Sequence, residues 1–114
     1  MENLLTENPL ALSITKHMET IGQYIAAARK EKHKTLRSLA RDADVSPTLL
    51  SFIEHGKHEP TPELVVRLAG ILGADPDHWC ALIGKVTPEA QRKMAKIARD
   101  NPVFFRNMIN LNRN

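Results

Sequence analysis

The chain has 114 residues, of which 42% are apolar and 25% are charged, and its formal net charge is +3 at neutral pH. These values are typical of one small globular domain with a short extension, and they exclude fibrous and low-complexity classes. Because it has no long apolar run and no N-terminal signal pattern, we expect a cytoplasmic protein without membrane contact. The single cysteine, Cys80, excludes an internal disulfide framework.

Positive charge is unevenly distributed along the chain. Residues 1–84 contain 9 Lys and Arg against 11 Asp and Glu, whereas residues 85–114 contain 7 against 2. The first part nevertheless has a local basic cluster, and a local cluster is sufficient for contacts with phosphate groups. Its members are Lys30, Lys32, Lys34, Arg37 and Arg41, with Lys57 further along.

The N-terminal residues 1–18 carry the weakest pattern. Asn8-Pro9 could open a helix, or the whole segment could be an arm, and we expect partial order. From about residue 19 to residue 32, the side chains of Ile21, Ile25 and Ala28 share one helical face. This spacing predicts the first helix of a domain.

The segment 35–56 is the most informative part of the chain. Thr35 is placed to cap a helix over residues 36–42, and Ser46 is placed to cap a second helix over residues 47–54. A helix pair joined by so short a turn indicates a helix-turn-helix, whose second helix enters the DNA major groove.

Two residues support this interpretation through their backbone conformation. Asp44 lies in the turn, where a left-handed residue is needed, and Asp tolerates that conformation better than most residues do. Gly56 is placed to end the second helix in the same conformation.

Proline marks the later helix starts. Pro47, Pro62, Pro76, Pro88 and Pro102 each follow a residue type that caps helices, so each pair predicts a helix start. No segment shows sustained strand alternation, so we expect an all-α protein. We predict a five-helix domain over residues 19–84, with Trp79 in its core, and a C-terminal helical hairpin over residues 85–114.

The predicted hairpin is rich in apolar side chains. Two helices this short cannot bury those side chains by themselves, so the hairpin is predicted to form a dimer interface. The residues expected at that interface are Met94, Ile97, Phe104, Phe105, Met108 and Ile109.

A wider set of residues carries a family resemblance. The set is Ile21-Gly22, Ile25, Arg29, Leu39-Ala40, Val45-Ser46, Leu50-Ser51, Ile53-Glu54, Gly56-Lys57, Pro60, Leu64, Leu68-Ala69 and Leu72-Gly73. Over about residues 20–84 the chain resembles helix-turn-helix regulators of the Cro and phage-repressor (XRE) type. The resemblance implies a homodimeric repressor on an inverted-repeat operator, and a structural ion pair between Arg29 and Glu54.

In that family, the positions that match Pro47, Thr48, Ser51 and Phe52 reach the edges of bases. Here they lack the Arg, Gln and Asn that make paired hydrogen bonds to guanine or adenine. The helix therefore reads thymine methyl groups through Thr48, Leu49 and Phe52, with help from the Ser51 hydroxyl, or it faces another kind of partner.

Phosphate contacts are expected from residues that flank the second motif helix. They are Thr35, Arg37, Lys57 and the helix start behind Ser46, with His55 and His58 adding hydrogen bonds.

We expect neither a metal nor another cofactor. His55, His58, His78 and Cys80 do not have a standard zinc spacing. Because no nucleotide-binding loop or catalytic constellation occurs either, we expect that the protein is not an enzyme.

Two classes of function therefore remain. The first is a repressor that binds double-stranded DNA as a homodimer, associated with the nucleoid. The competing class is a protein-interaction module, such as an antitoxin or an antagonist of another regulator, that keeps the fold without base readout. The apolar Leu49 and Phe52 favour this protein partner, whereas the basic cluster opposes it.

Overall fold

The computed structural model describes residues 20–111, which form seven helices and no strand. The helices are α1 (Ile21–Glu31), α2 (Leu36–Asp42), α3 (Pro47–Glu54), α4 (Pro62–Leu72), α5 (Pro76–Leu82), α6 (Pro88–Asp100) and α7 (Pro102–Ile109). The all-α prediction is confirmed over this range. None of the seven helices is long and apolar enough to cross a membrane. The helix or arm expected at residues 1–18, including Asn8-Pro9, lies outside the described residues.

The predicted helix starts are confirmed at Pro47, Pro62, Pro76, Pro88 and Pro102. The hydroxyls of Ser46, Thr61 and Thr87 each accept a hydrogen bond from the backbone N–H three residues further on. Asn101 differs from these caps. Its side chain makes no capping hydrogen bond, and its backbone, at φ −146° and ψ 69°, also ends α6. The side-chain cap expected at Asn101 is therefore absent, because this residue serves as the junction between two helices.

The first five helices end in the same way. A left-handed residue follows each of them: His33 after α1 (φ 56°), Asp44 after α2 (φ 59°), Gly56 after α3 (φ 75°), Gly73 after α4 (φ 72°) and Gly84 after α5 (φ 70°). The next amide then returns to the helix, as in the bond from Lys57 N–H to the Phe52 carbonyl (2.8 Å). The left-handed turn predicted at Asp44 is confirmed, whereas the one at His33 was not predicted.

Helices α1 to α5 share one apolar core. Its fully buried members come from all five helices, and Trp79 of α5 adds a large side chain that is 4% exposed. The largest fully buried side chains are Ile25, Leu39, Leu50, Ile53, Val65, Leu68 and Cys80. Helices α6 and α7 bury none of their residues and pack against each other.

Gly22 sets the crossing of α1 over α3. A Cβ atom at this position would overlap the Ile53 carbonyl oxygen and would lie 2.9 Å from the Glu54 carbonyl oxygen. Only glycine lets the two helices approach so closely. The C-terminal end of α3 is therefore held directly against the backbone of α1.

Candidate nucleic-acid interface

The outward side of α3 is a continuous polar and aromatic surface. Leu50 and Ile53 point into the core, which turns Pro47 and Thr48 to solvent. Ser51 is half-buried and the Phe52 side chain is 48% exposed. An exposed aromatic ring on a helix that is otherwise anchored in the core is a feature that folding alone does not require.

A nearly buried ion pair fixes the C-terminal end of α3. Arg29 Nε donates to Glu54 Oε2 at 2.7 Å and Arg29 Nη2 donates to Glu54 Oε1 at 3.0 Å, while Nη1 donates to the Lys34 carbonyl at 3.0 Å. Only 14% of the Arg29 side chain and 6% of the Glu54 side chain are exposed. The hydrogen bonding that Arg29 donates to Glu54 raises the pKa of Arg29, which stays charged. One guanidinium thus joins α1, the loop before α2 and the end of α3.

The N-terminal end of α3 is fixed by its cap. Ser46 Oγ accepts from the Leu49 N–H at 3.0 Å. Thr35 Oγ1 accepts from the Ser38 N–H at 3.0 Å in the same way at α2. Phosphate contacts were predicted from Thr35 and from the helix start behind Ser46, and both residues are exposed. Capping uses the hydroxyl oxygen as an acceptor and leaves the hydroxyl hydrogen available for donation to a phosphate oxygen.

His55 continues the outward side of α3 and has a defined orientation. Its Nδ1 lies 2.7 Å from the Ser51 carbonyl oxygen. Because a carbonyl oxygen only accepts, Nδ1 carries the hydrogen, and this assignment leaves Nε2 of the neutral ring as an acceptor. His58, in the following loop, is exposed.

The basic cluster is smaller in three dimensions than in the sequence. Lys34 and Arg41 both lie next to Asp42, with nitrogen to oxygen distances of 3.2 and 3.8 Å. Arg37 and Lys57 are exposed and form no ion pair within residues 20–111. These two side chains are therefore the free cations nearest in sequence to the ends of the motif.

The residues predicted for the dimer interface fall into two groups. Met94, Ile97, Phe105 and Met108 are half-buried, on the helices that pack together as a hairpin. Phe104 and Ile109 are 57% and 58% exposed. Sequence reasoning did not include Val103 and Leu111 in this set, although they are exposed to 61% and 76%. The apolar side chains of Val103 and Leu111 were the signal that could have placed them in the predicted set.

The single thiol is enclosed in the core. Cys80 is fully buried in α5, and burial raises its pKa, with smaller contributions from Asp77 and Glu63. Within the described range, no cluster of three or more His, Cys, Asp or Glu residues could hold a metal ion.

Comparisons with known proteins agree with this geometry. The family model described as Helix-turn-helix matches residues 25–79. An uncharacterized HTH-type transcriptional regulator of Escherichia coli strain K12, YddM, is 31% identical over 61 residues. The matched segment covers 54% of this chain and 65% of the relative, just under two thirds of its length. No solved structure gives a significant match.

Proposed function

Because residues 25–79 form a helix-turn-helix domain of the Cro and phage-repressor (XRE) type, we propose that the protein represses transcription by binding an inverted-repeat operator as a homodimer. A similar chain named as a transcriptional regulator supports the same class. Helix α3 is the recognition helix, and the protein acts at the nucleoid.

The observation that carries the proposal is the contrast between the two sides of α3. Its inner side is fixed by full burial of Leu50 and by the pair between Arg29 and Glu54. Its outer side has no partner helix among residues 20–111. A helix held rigidly with one side turned outward can enter a major groove without reorganising the domain.

The chemistry of the outer side favours A·T-rich half-sites. Thr48 has both a hydroxyl and a methyl group, Ser51 has a hydroxyl, and the ring of Phe52 is available for an apolar contact. The thymine methyl group is the apolar feature of the major groove, so these side chains match thymine better than guanine. Additional specificity comes from the shape of the DNA between the half-sites.

Phosphate contacts come from the two free cations, Arg37 and Lys57. Each lies beside an end of the motif, where a phosphate contact fixes the register of α3 without reading sequence. His58 adds a hydrogen bond from the loop, and His55 donates one to a phosphate from Nε2 only when its ring carries a second proton.

Dimerisation is assigned to the hairpin of α6 and α7, here residues 85–114, whereas residues 19–84 form the DNA-binding domain. The hairpin exposes apolar side chains that the DNA-binding domain leaves uncovered. Two recognition helices in successive major grooves lie about 34 Å apart, which requires an inverted repeat.

The first test selects bound sequences from a random DNA pool and then measures affinity as a function of salt. Arg37→Ala should weaken binding to every sequence about equally and lower the slope of log K against log salt by up to about one unit per subunit. Arg67→Ala is the matched control, because Arg67 is an exposed arginine on α4. Equal losses for both variants would show that only net charge matters.

The second test separates base contacts from phosphate contacts. Thr48→Ala and Ser51→Ala should each reduce the preference for the selected sequence over random DNA by about 1 to 3 kcal/mol, with an unchanged salt slope. Phe52→Ala should lose affinity only where a thymine contacts the ring. Replacing that thymine by uracil, which lacks the methyl group, should make the wild type and the variant alike.

The exposed ring of Phe52 is also the observation that favours the second candidate, a protein-interaction module. In that case the variants at Thr48, Ser51 and Phe52 leave DNA binding unchanged and abolish binding of a protein partner. This result would replace the repressor by an antitoxin or an antagonist of another regulator.

A further inference from the structure

A cavity of about 370 Å³ opens where the N-terminal ends of α4, α5 and α6 meet. Val66, Pro76 and Pro88 supply its apolar wall. An apolar cavity of about 150 Å³ already admits a benzene ring. The space is therefore large enough for an aromatic side chain together with part of a second side chain.

The rim of this cavity is acidic. Glu63, Asp77 and Glu89 line it together with one cation, Arg92. Glu89 is paired with Lys93 at 3.0 Å. Glu63 and Asp77 form no ion pair within the described part of the chain. Two carboxylates at the mouth of an apolar cavity match an aromatic or aliphatic side chain that has a cation beside it.

Helix α7 presents that combination. Phe104 and Ile109 are more than half exposed, and Arg106 is the one charged residue in the helix. Arg106 forms no ion pair with any described residue. Helix α7 does not line the cavity of its own chain. Helix α6 separates the two, since its 13 residues span about 20 Å.

We propose that α7 of one copy docks in this cavity of a second copy and that the exchange is reciprocal. Phe104 fills the apolar part, and Arg106 faces Glu63 and Asp77 of the other copy. A reciprocal contact uses the same two surfaces on both chains and closes after two copies, so it gives a dimer rather than a fibre. The proposal rests on the homodimer of the proposed function and names the surfaces that form it.

The test is a charge exchange between chains, followed by sedimentation velocity in the absence of DNA. Arg106→Glu places an acid against two acids in its own homodimer, so its dimer dissociation constant should rise tenfold or more. The double variant Glu63→Lys, Asp77→Asn places a cation against Arg106 and should dissociate to a similar degree. An equimolar mixture of Arg106→Glu with the double variant should restore dimers. In the mixed dimer, position 106 of each chain faces the opposite charge at the cavity of the other chain.

Lys96→Glu is the matched control. It makes the same charge change on the exposed side of α6 and should leave the dimer unchanged. Phe104→Ala tests the apolar contact and should also dissociate the dimer, with unchanged helical circular dichroism showing that the chain is folded. A wild-type monomer at micromolar concentration, a dimer that survives Arg106→Glu, or a mixture that stays monomeric would each overturn the proposal.

These outcomes are independent of the DNA-binding proposal. The sequence preference of Thr48→Ala is measured on the full chain, and this measurement does not depend on which surfaces form the dimer. If Arg106→Glu stays dimeric and Thr48→Ala loses its sequence preference, only the cavity contact is rejected. If Arg106→Glu dissociates and Thr48→Ala keeps its sequence preference, the cavity contact is supported and α3 is rejected as the recognition helix.

Discussion

Helix α3 in the domain of α1 to α5 and helix α6 in the C-terminal hairpin begin with the same local signal, but the two regions differ in what holds them. Pro47 and Pro88 follow hydroxyl caps with the same geometry. Yet Leu50 and Leu68 in the first region are fully buried, whereas α6 and α7 bury no residue. The comparison teaches that caps decide where a helix starts, while burial against other helices decides how stable it is.

Ion pairs differ between the two regions in the same way. Arg29 and Glu54 are nearly buried and make two mutual hydrogen bonds. Glu89 and Lys93 are about 70% exposed and span one turn of α6. An exposed pair of this kind stabilises little because water already solvates both charges. Removal of one partner should therefore lower stability strongly in the first region and little in the hairpin.

The largest expected effect comes from Glu54→Ala, which leaves the Arg29 guanidinium without its carboxylate. We expect the free energy of unfolding, measured by urea denaturation, to fall by about 3 to 5 kcal/mol. The matched variant Glu89→Ala should leave the denaturation midpoint unchanged.

Changing both partners of the buried pair gives the control. Arg29→Met together with Glu54→Leu should cost clearly less than Glu54→Ala alone, because no charge is left buried. If the losses of the single variants simply add in the double variant, Arg29 and Glu54 are not coupled.

The next effect compares one apolar side chain from each region. Leu50→Ala should lower the free energy of unfolding by about 2 to 5 kcal/mol, because it leaves a space in a closed core. Met94→Ala should cost less than about 1 kcal/mol at low protein concentration, because Met94 is only half-buried. Equal costs would show that the hairpin is as tightly packed as the core.

The smallest effect concerns the backbone at the end of α1. His33 has a φ of 56°, which glycine adopts without the steric cost that a Cβ atom brings. His33→Gly should therefore raise the thermal midpoint by a few degrees, equivalent to about 0.5 to 1 kcal/mol. Lys32→Gly, one residue earlier at a negative φ of −84°, should not stabilise. Stabilisation by both variants would show that the left-handed conformation of His33 is not the cause.

The helix boundaries were predictable because their causes are local. A capping residue and the proline after it lie within one turn of the bond they make, so the starts at Pro62 and Pro76 follow from the sequence alone. The same applies to the left-handed Asp44. Thr20 and Gln23 form a capping box at α1, and their spacing was a local signal for its start.

Other features were not predictable because they depend on distant parts of the chain. The need for glycine at position 22 arises from the crossing of α1 over α3. Asp42 accepts a hydrogen bond from Lys34, and their separation of 8 residues in the sequence is beyond the local spacing at which helical side chains meet. The left-handed turn at His33 was not predicted, although histidine is one of the residue types enriched in that conformation.

The candidate site was predictable in part for the same reason. The outward position of Thr48 and Phe52 follows from the inward spacing of Leu50 and Ile53 along one short helix. The orientation of His55 could not be predicted, because it depends on one side-chain rotamer. The cavity beside α4, α5 and α6 needs three helix ends to meet, which the sequence of no single helix encodes.

Burial of the single thiol has a consequence for experiments under oxidising conditions. Disulfide formation needs an accessible thiolate, and Cys80 is both fully enclosed and shifted toward the protonated form. A disulfide between two copies of the chain would therefore show that the core between α4 and α5 opens transiently. It would not show that folded copies associate. The alkylation rate of Cys80 measures how often that part of the domain opens, without any added label.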